Sequence, residues 1–294
     1  MNAWERGTPW PAPAKLNLFL HVTARRSDGY HELQTLFQFL DFGDLIWFEP
    51  VSGDAIALDG NTAAVPPERD LVMRAAQLLA EAGGVRRGAR IRIEKRLPLG
   101  AGLGGGSSDA ATTLVALDYL WGLKLGTERL VQLALELGAD VPVFVRGRAS
   151  WAEGIGERLT PLEDLEESWY LVLHPAVSIS TAAIFSDPRL TRDAPRIKIA
   201  DFLAGGTTNQ LEAVATRLYP EVGEALRWLA EYGPARMTGS GACVFSAFPE
   251  RSQAEAVLAE IPAPWSGFVA RGRNRSPLLE RLQELQSSAR SFGA

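Results

Sequence analysis

Residues 98–111 read PLGAGLGGGSSDAA and decide the fold, because a glycine-rich loop leads directly into a helical pattern. Glycine has no Cβ, so successive backbone N–H groups can turn toward one centre and approach phosphate oxygens closely. The N-terminus of the following helix adds unpaired N–H donors and a favourable dipole. The segment predicts a phosphate-binding loop; a flexible surface loop capped by serine is the alternative. The candidate nucleotide-binding residues are Pro98, Leu99, Gly100, Ala101, Gly102, Leu103, Gly104, Gly105, Gly106, Ser107 and Ser108.

Three other nucleotide motifs compete with this interpretation. Gly100, Gly102 and Gly105 match G-x-G-x-x-G, but a dinucleotide site needs a strand running straight into the first glycine and an acidic residue about 20 positions later. Residues 95–98, KRLP, interrupt that strand, and the later position reads WGLKLG. A P-loop would need a lysine that this loop lacks. Residues 41–43, DFG, match a protein-kinase metal motif but precede the loop without a His-Arg-Asp, so we interpret them as a turn.

The first part of the chain mixes strand and helix patterns. Alternating apolar residues predict strands at 16–22, 45–51 and 89–97. Residues 71–84 have helical spacing that ends in glycine, and two more helical patterns follow the loop. These helices are expected to form a layer against the sheet.

The second part alternates between strands and helices. Strands are predicted at 170–175, 242–248 and 267–273, with helices at 221–233 and 252–261. That alternation predicts a helix-backed sheet of its own, with a tail that frays after about Leu285. We therefore divide the chain into domains 1–157 and 158–294, with the first carrying the nucleotide site.

Composition limits the class of partner. The net charge is −5 and the basic residues are scattered, which argues against nucleic acid. Cys243 is the only cysteine, so no internal disulfide can form, and the three histidines lack zinc-ligand spacing. No stretch approaches the ~20 apolar residues of a membrane helix, and the N-terminus lacks the apolar core of a signal peptide. We expect a cytoplasmic protein, monomeric or weakly homodimeric, that acts on a small molecule.

Further segments, taken in order along the chain, carry a family resemblance. PAKLNL at 13–18, DGYHEL at 28–33, the glycine loop and GADVPVF at 138–144 resemble the GHMP kinases, and GSGACVF at 239–245 matches a further glycine segment of that family. The resemblance extends from Pro13 to about Pro277. PAKLNL followed by DGYHEL is similar to the branch whose substrate is diphosphocytidyl-methylerythritol.

The resemblance implies a fold and a reaction. The expected fold is α+β with two domains: an N-terminal domain like domain 2 of ribosomal protein S5 and a ferredoxin-like α/β-sandwich C-terminal domain. The expected reaction moves the γ-phosphoryl group of ATP to the C2 hydroxyl of diphosphocytidyl-methylerythritol in the non-mevalonate isoprenoid pathway. ATP is the expected cosubstrate, and Mg²⁺ is inferred from the chemistry of ATP.

The resemblance also assigns catalytic roles. Asp140 matches the proposed base and Lys15 the lysine beside it, since phosphoryl transfer needs a positioned carboxylate and fixed positive charge. On the residues alone, Asp140 could be a turn residue and Lys15 a solvated strand residue. Ser108 is the hydroxyl that we would name near Mg²⁺.

The substrate pocket is assigned in the same way. Tyr30 and His31 are adjacent aromatic residues that can sandwich a flat base, and ring stacking contributes on the order of 1–3 kcal/mol; edge-of-core residues are the alternative. Their family counterparts recognise cytosine. The further candidates are Lys95 and Phe185 in the cytidine pocket, and Asn17 and Thr181 near the methylerythritol and diphosphate.

Two positions depart from, or vary within, the family pattern. Gln210 replaces a frequent aspartate, which predicts the loss of a helix-capping charge. Asp109 stands where asparagine also occurs, and a carboxylate so near phosphate is expected to point away from it.

Two other functions remain open. The first is another GHMP kinase acting on mevalonate, homoserine or a sugar. The second is a catalytically silent nucleotide-binding regulator, against which the presence of both Lys15 and Asp140 argues.

Overall fold

In the computed structural model of the protein, the described residues are 7–51, 53–59, 69–203, 205 and 208–291. Residues 1–6, which belong to the N-terminal segment considered above for a signal peptide, lie outside the described residues. The strands are β1 (Trp10–Arg25), β2 (His31–Val51), β3 (Ile56–Asp59), β4 (Gly88–Glu94), β5 (Ser150–Gly154), β6 (Arg158–Pro161), β7 (Trp169–His174), β8 (Ala235–Met237), β9 (Val244–Phe248) and β10 (Ser266–Arg273). The helices are α1 (Leu71–Gly83), α2 (Gly105–Trp121), α3 (Thr127–Leu137), α4 (Val141–Arg146), α5 (Thr181–Ser186), α6 (Ile199–Leu203), α7 (Glu212–Leu218), α8 (Pro220–Ala230), α9 (Arg251–Leu258) and α10 (Pro277–Ser291).

The antiparallel pair of β1 and β2 forms the centre of the fold. Lys15 pairs with Phe39 and Asn17 with Phe37, and register shifts lie between Pro13 and Lys15 and between Asn17 and Leu20. Such irregularities re-aim side chains that strict alternation would place elsewhere. From Ala12 to Leu20 every residue of β1 is buried, because both faces of the strand are covered there. The strand can therefore hold polar groups in a site shielded from solvent.

The DFG triplet lies within β2 and not in a turn, so our interpretation of residues 41–43 was wrong. Gly43 pairs with Pro13 in the β1–β2 ladder. A Cβ at this glycine would overlap the carbonyl oxygen of Ala12, so the close approach of the two strands requires glycine there.

The sheet of the second half is joined to the first, which differs from the expectation of two separate sheets. β7, β8, β9 and β10 are antiparallel, and β10 continues onto β2 through the pairs Gly272–Leu40 and Arg273–Phe39. The sheet order is β3-β4-β2-β10-β7-β9-β8. A hydrophobic pattern predicts the faces of a strand but not its distant neighbour, which is why this junction was missed.

The C-terminal helix corrects the expectation of fraying after Leu285. α10 continues to Ser291 and packs on β1 and α2. Leu278 is buried in the first core, and Leu282 and Leu285 pack against it. The last helix thus returns to the first half of the chain, because its apolar face is covered there.

The predicted domain boundary falls inside a β-hairpin. β5 pairs with β6, and Glu153 lies opposite Arg158. A boundary after Pro161 would keep that hairpin in one unit; the division of the chain stays a prediction. No helix among the described residues is long and apolar enough to cross a membrane.

Candidate active site

A cavity of about 830 Å³ lies between the two halves of the chain. Its walls come from the glycine loop, β1, the start of β2, α5 and the turn at Gly239–Ser240. Every residue that the sequence assigned to the site lines it, except Ser108. The side chain of Ser108 is fully buried and its hydroxyl has no hydrogen-bond partner among the described residues, whereas Ser107 lines the cavity.

The glycine loop is held in a shape that other residues cannot adopt. Gly102 and Gly104 have φ angles of 78° and 73° in the left-handed region. A Cβ on Gly102 would overlap the carbonyl oxygen of Thr238, and one on Gly104 would lie 2.8 Å from the Phe144 ring. α2 starts at Gly105 without a side-chain cap, so its first N–H groups remain for a ligand at the loop.

Lys15 reaches from β1 to the loop and to the predicted base. Its ammonium group donates to Asn17 Oδ1 and to the carbonyl of Gly102 at 3.0 Å, and it lies 3.7 Å from Asp140 Oδ2. The residue is only 2% exposed, and burial lowers the pKa of Lys15 while Asp140 partly opposes that effect. The arrangement places one fixed cation between the loop and the carboxylate.

Asp140 lies in the turn before α4 and lines the cavity. Its side chain makes no capping bond to the helix and is 40% exposed. The chain folds this way because Pro142 suits the first turn of a helix. A carboxylate that lines a cavity beside a buried lysine can accept a proton from a bound hydroxyl.

Asn17 and Thr181 both line the cavity. The Asn17 amide accepts from Lys15 and donates to Thr35 Oγ1 at 2.8 Å, so both of its ends already have partners. Thr181 opens α5, and its hydroxyl lies 2.7 Å from that of Ser240. Asn17 therefore orients Lys15, while Thr181 ties α5 to the turn of the second half.

Tyr30 and His31 differ in exposure, and their stacking on a base stays a prediction. Tyr30 is 59% exposed at the rim. The His31 ring is buried and packs on Phe185, with ring centroids 5.0 Å apart at 31°. Arg192 Nε lies 3.0 Å from His31 Nε2. Burial, followed by the charges of Arg192 and Arg25, lowers the pKa of His31.

Lys95 lies beside the glycine loop, between two buried carboxylates. It contacts Asp44 and donates to Asp109 Oδ2 at 2.7 Å. Asp44 also accepts from the backbone N–H groups of Arg96 and Leu97, which precede the loop. Burial raises the pKa of Asp109, and the nearby Asp44 adds to this against the opposing Lys95. Asp109 is thus turned toward Lys95 and is not among the residues that line the cavity.

Gln210 precedes α7, which begins without a side-chain cap. Its side-chain oxygen accepts from the backbone N–H of Val22 at 2.7 Å and links the second half to β1. Sequence reasoning also missed Arg192, Asp44 and Ser240 as parts of the site, because their partners lie far away in the chain. For Arg192, its position shortly after Phe185 in the sequence was a local signal that could have found it.

Comparison with known proteins agrees with this geometry. The family model for the GHMP kinases N terminal domain matches residues 70–148, and that for the GHMP kinases C terminal matches residues 189–267. The 4-diphosphocytidyl-2-C-methyl-D-erythritol kinase of Nitrosococcus oceani is 54% identical over 275 residues, covering 94% of this chain and 98% of that protein. The enzyme of the same name from Shewanella loihica is 51% identical over 280 residues, covering 95% and 98%.

Solved structures give the same result. A crystal structure of 4-(cytidine 5'-diphospho)-2C-methyl-D-erythritol kinase has a TM-score of 0.80 and 36% identity, covering 90% of this chain and 99% of that one. A mevalonate kinase has a TM-score of 0.69 at 14% identity, covering 92% and 100%, and so shares the fold alone. With its α+β fold, its glycine loop and these relatives, the chain belongs to the GHMP kinases and, within them, to the 4-diphosphocytidyl-2-C-methyl-D-erythritol kinases.

Proposed function

We propose that this protein transfers the γ-phosphoryl group of ATP to the C2 hydroxyl of 4-diphosphocytidyl-2-C-methyl-D-erythritol, giving the 2-phosphate and ADP in the non-mevalonate isoprenoid pathway. One observation carries the proposal: a single cavity is lined by the glycine loop, the Lys15–Asp140 pair and an aromatic pocket formed by Tyr30, His31 and Phe185. The named activity of relatives more than 50% identical supports the same substrate.

The loop and the start of α2 form the nucleotide half of the proposed site. Their backbone N–H groups face the phosphates, and Ser107 presents a hydroxyl to the same space. Oxygen donors of this kind suit Mg²⁺, which is bound mostly through nucleotide phosphates in such sites and offsets their negative charge. We assign Lys95 to this half rather than to the cytidine pocket, because its partners Asp44 and Asp109 lie beside the loop.

Asp140 and Lys15 are the proposed catalytic pair. The Asp140 carboxylate accepts the proton of the acceptor hydroxyl as the new P–O bond forms and the bond to the leaving ADP oxygen breaks. The Lys15 ammonium, 3.7 Å away, stabilises the charge that gathers on the transferring group. Because Asn17 and Gly102 fix that ammonium in advance, little reorganisation is needed during the transfer.

The aromatic end of the cavity is the proposed cytidine pocket. Tyr30 at the rim and Phe185 in the wall offer ring faces for stacking. His31, which is packed on Phe185, offers a ring nitrogen to the edge of the base. Because Cys243 is the only cysteine and no internal disulfide can form, we keep the cytoplasm as the proposed location.

The experiment that tests this proposal measures ADP release from purified protein with Mg-ATP and one alcohol at a time. Diphosphocytidyl-methylerythritol, mevalonate and homoserine are the three acceptors. We expect ADP with the cytidine substrate alone. Release with mevalonate or homoserine alone would assign the chain to a sister activity, and release with none would leave a nucleotide-binding regulator.

A further inference from the structure

Arg192 lies beside the aromatic pocket and donates hydrogen bonds to the ring of His31 and to the backbone carbonyl of Phe185. Its Nε donates to His31 Nε2 at 3.0 Å. One terminal nitrogen donates to the Leu190 carbonyl at 3.0 Å, and the other to the carbonyls of Phe185 and Asp187 at 2.9 and 2.8 Å. The carbonyl groups of residues 185–190 therefore fix the orientation of the guanidinium, and this orientation points its Nε–H at the histidine ring.

The chemistry of arginine decides which proton the histidine can carry. A guanidinium group in a protein stays protonated and has no acceptor atom, so Nε must be the donor in this bond. His31 Nε2 must then be the acceptor and carry no proton. In a neutral imidazole the proton is consequently on the other nitrogen, Nδ1.

Burial and the charges around the His31 ring lower its pKa and so disfavour the protonated imidazole. Arg192 faces it from the loop after α5 and Arg25 from the end of β1, and both disfavour a second positive charge. The neighbouring Glu32 carboxylate is engaged by Arg26, Arg158 and Arg196. Burial acts in the same direction as the two arginines.

We infer that Arg192 is a positioning residue that fixes His31 with its proton on Nδ1, and that this tautomer makes the cavity select a cytosine-type base over a uracil-type base. Among the described residues no group bonds His31 Nδ1, and the ring lines the cavity. The inference rests on the proposed function, because it concerns the base of that substrate.

The selection follows from the hydrogen-bonding edges of the two bases. Cytosine presents an acceptor at N3, and an Nδ1–H donor placed opposite that atom matches it; the O2 acceptor is common to both bases and does not distinguish them. Uracil carries a proton at N3, so the same donor would meet another donor there. A buried donor without an acceptor costs binding free energy, and a site of this kind rejects the mismatched base.

The tautomer can be measured in the free protein. In ¹⁵N-histidine-labelled protein above the ordinary histidine pKa of about 6.5, long-range ¹H–¹⁵N NMR distinguishes protonated from unprotonated ring nitrogens. The His31 signals are identified by their loss in a His31→Asn variant. We expect Nδ1–H in the wild type and a mixture of both tautomers in Arg192→Gln, because an amide can donate or accept. An Nε2–H tautomer in the wild type would overturn the inference even if the variant failed to fold.

The selection is measured as the ratio of kcat/KM for the cytidine substrate to that for its uridine analogue. We expect Arg192→Gln to lower this ratio by about tenfold, mainly through KM for the cytidine substrate, and Arg192→Lys to restore part of it, because lysine is also only a donor. Arg217→Ala is the matched control, since Arg217 contacts Asp187 in the same loop without touching His31.

The outcomes separate the inference from the proposed function. An unchanged ratio in Arg192→Gln, or an equal loss in Arg217→Ala, would overturn the inference while turnover of the cytidine substrate upheld the function. Equal use of both substrates by the wild type would do the same. Turnover of neither substrate would refute the function and the selection together, and the NMR spectrum would still decide the tautomer.

Discussion

The ammonium group of Lys15 lies 3.7 Å from Oδ2 of Asp140, and the same nitrogen donates to the Gly102 carbonyl of the phosphate-binding loop at 3.0 Å. These contacts connect the start of β1, the turn before α4 and the glycine loop. A buried cation held between a loop and a carboxylate can act on a transferring phosphoryl group without first being ordered.

Removing either member of that pair should reduce turnover far more than binding. We expect Asp140→Asn to lower kcat by at least about a hundredfold, because proton acceptance is lost, and Lys15→Met by about 10²–10³-fold, because the fixed charge is lost. Steady-state kinetics with both substrates checks this. A kcat within a few-fold of the wild type in Asp140→Asn would show that the carboxylate is not the base.

Removing the aromatic faces should affect one substrate only. Phe185→Ala and Tyr30→Ala each remove a stacking surface worth on the order of 1–3 kcal/mol, so KM for the cytidine substrate should rise by roughly tenfold or more. KM for ATP should stay near the wild-type value, since ATP is proposed to bind at the glycine loop and neither ring belongs to that loop. Equal rises in both KM values would point to a change in the whole cleft.

Replacing a loop glycine should cost stability as well as nucleotide binding. Gly102→Ala imposes a left-handed conformation that costs roughly 1–2 kcal/mol for other residues, and its Cβ would overlap the Thr238 carbonyl. Urea unfolding and the KM for ATP measure the two effects. Gly106→Ala is the control for unfolding, because its nearest neighbouring atom, on Leu71, would be 3.7 Å away. Equal stability of the two variants would contradict the loop geometry.

The buried carboxylate cluster predicts a dependence of stability on pH. The pKa of Asp109 is raised from 3.8 to about 7, so between these values the folded state binds a proton that the unfolded chain has lost. Its contribution to the free energy of unfolding is therefore full below pH 3.8 and is lost as the pH rises through about 7, at no more than about 1.4 kcal/mol per pH unit.

Asp109→Asn should remove this part of the pH dependence. Urea titrations across the window should find that the variant becomes more stable relative to the wild type as the pH rises. Glu94→Gln removes an exposed carboxylate from the neighbouring strand and controls for the loss of one negative charge. Parallel pH profiles of the wild type and Asp109→Asn would rule out a proton held at this site.

Much of the nucleotide half could be predicted from local sequence. Five glycines followed by two serines at the start of a helical pattern have a direct physical consequence, since both the turn and the helix N-terminus are local. The helices and strands around the loop likewise follow from periodicity within each segment. The approach of Lys15 to Asp140 required the family resemblance, because no local rule brings β1 and α4 together.

The parts that could not be predicted depend on distant contacts. β10 joins the two sheets through Leu40 and Phe39, and α10 returns to the first core, although neither pattern indicates its partner. The contacts of Lys95 with Asp44 and Asp109 were likewise not predicted, and the role of Lys95 in nucleotide or cytidine binding stays a prediction. In each case the position of the element or side chain depends on a contact with a distant residue, which the local sequence pattern does not reveal.

The most direct test of the central claim follows the phosphoryl group itself. Purified protein is incubated with Mg-ATP and 4-diphosphocytidyl-2-C-methyl-D-erythritol, and ³¹P NMR is recorded, with Asp140→Asn in parallel. The account predicts a new phosphomonoester resonance on the C2 oxygen that grows in step with ADP and is absent from the variant over the same time. ADP accumulation without that resonance, or a product phosphorylated elsewhere, would contradict it.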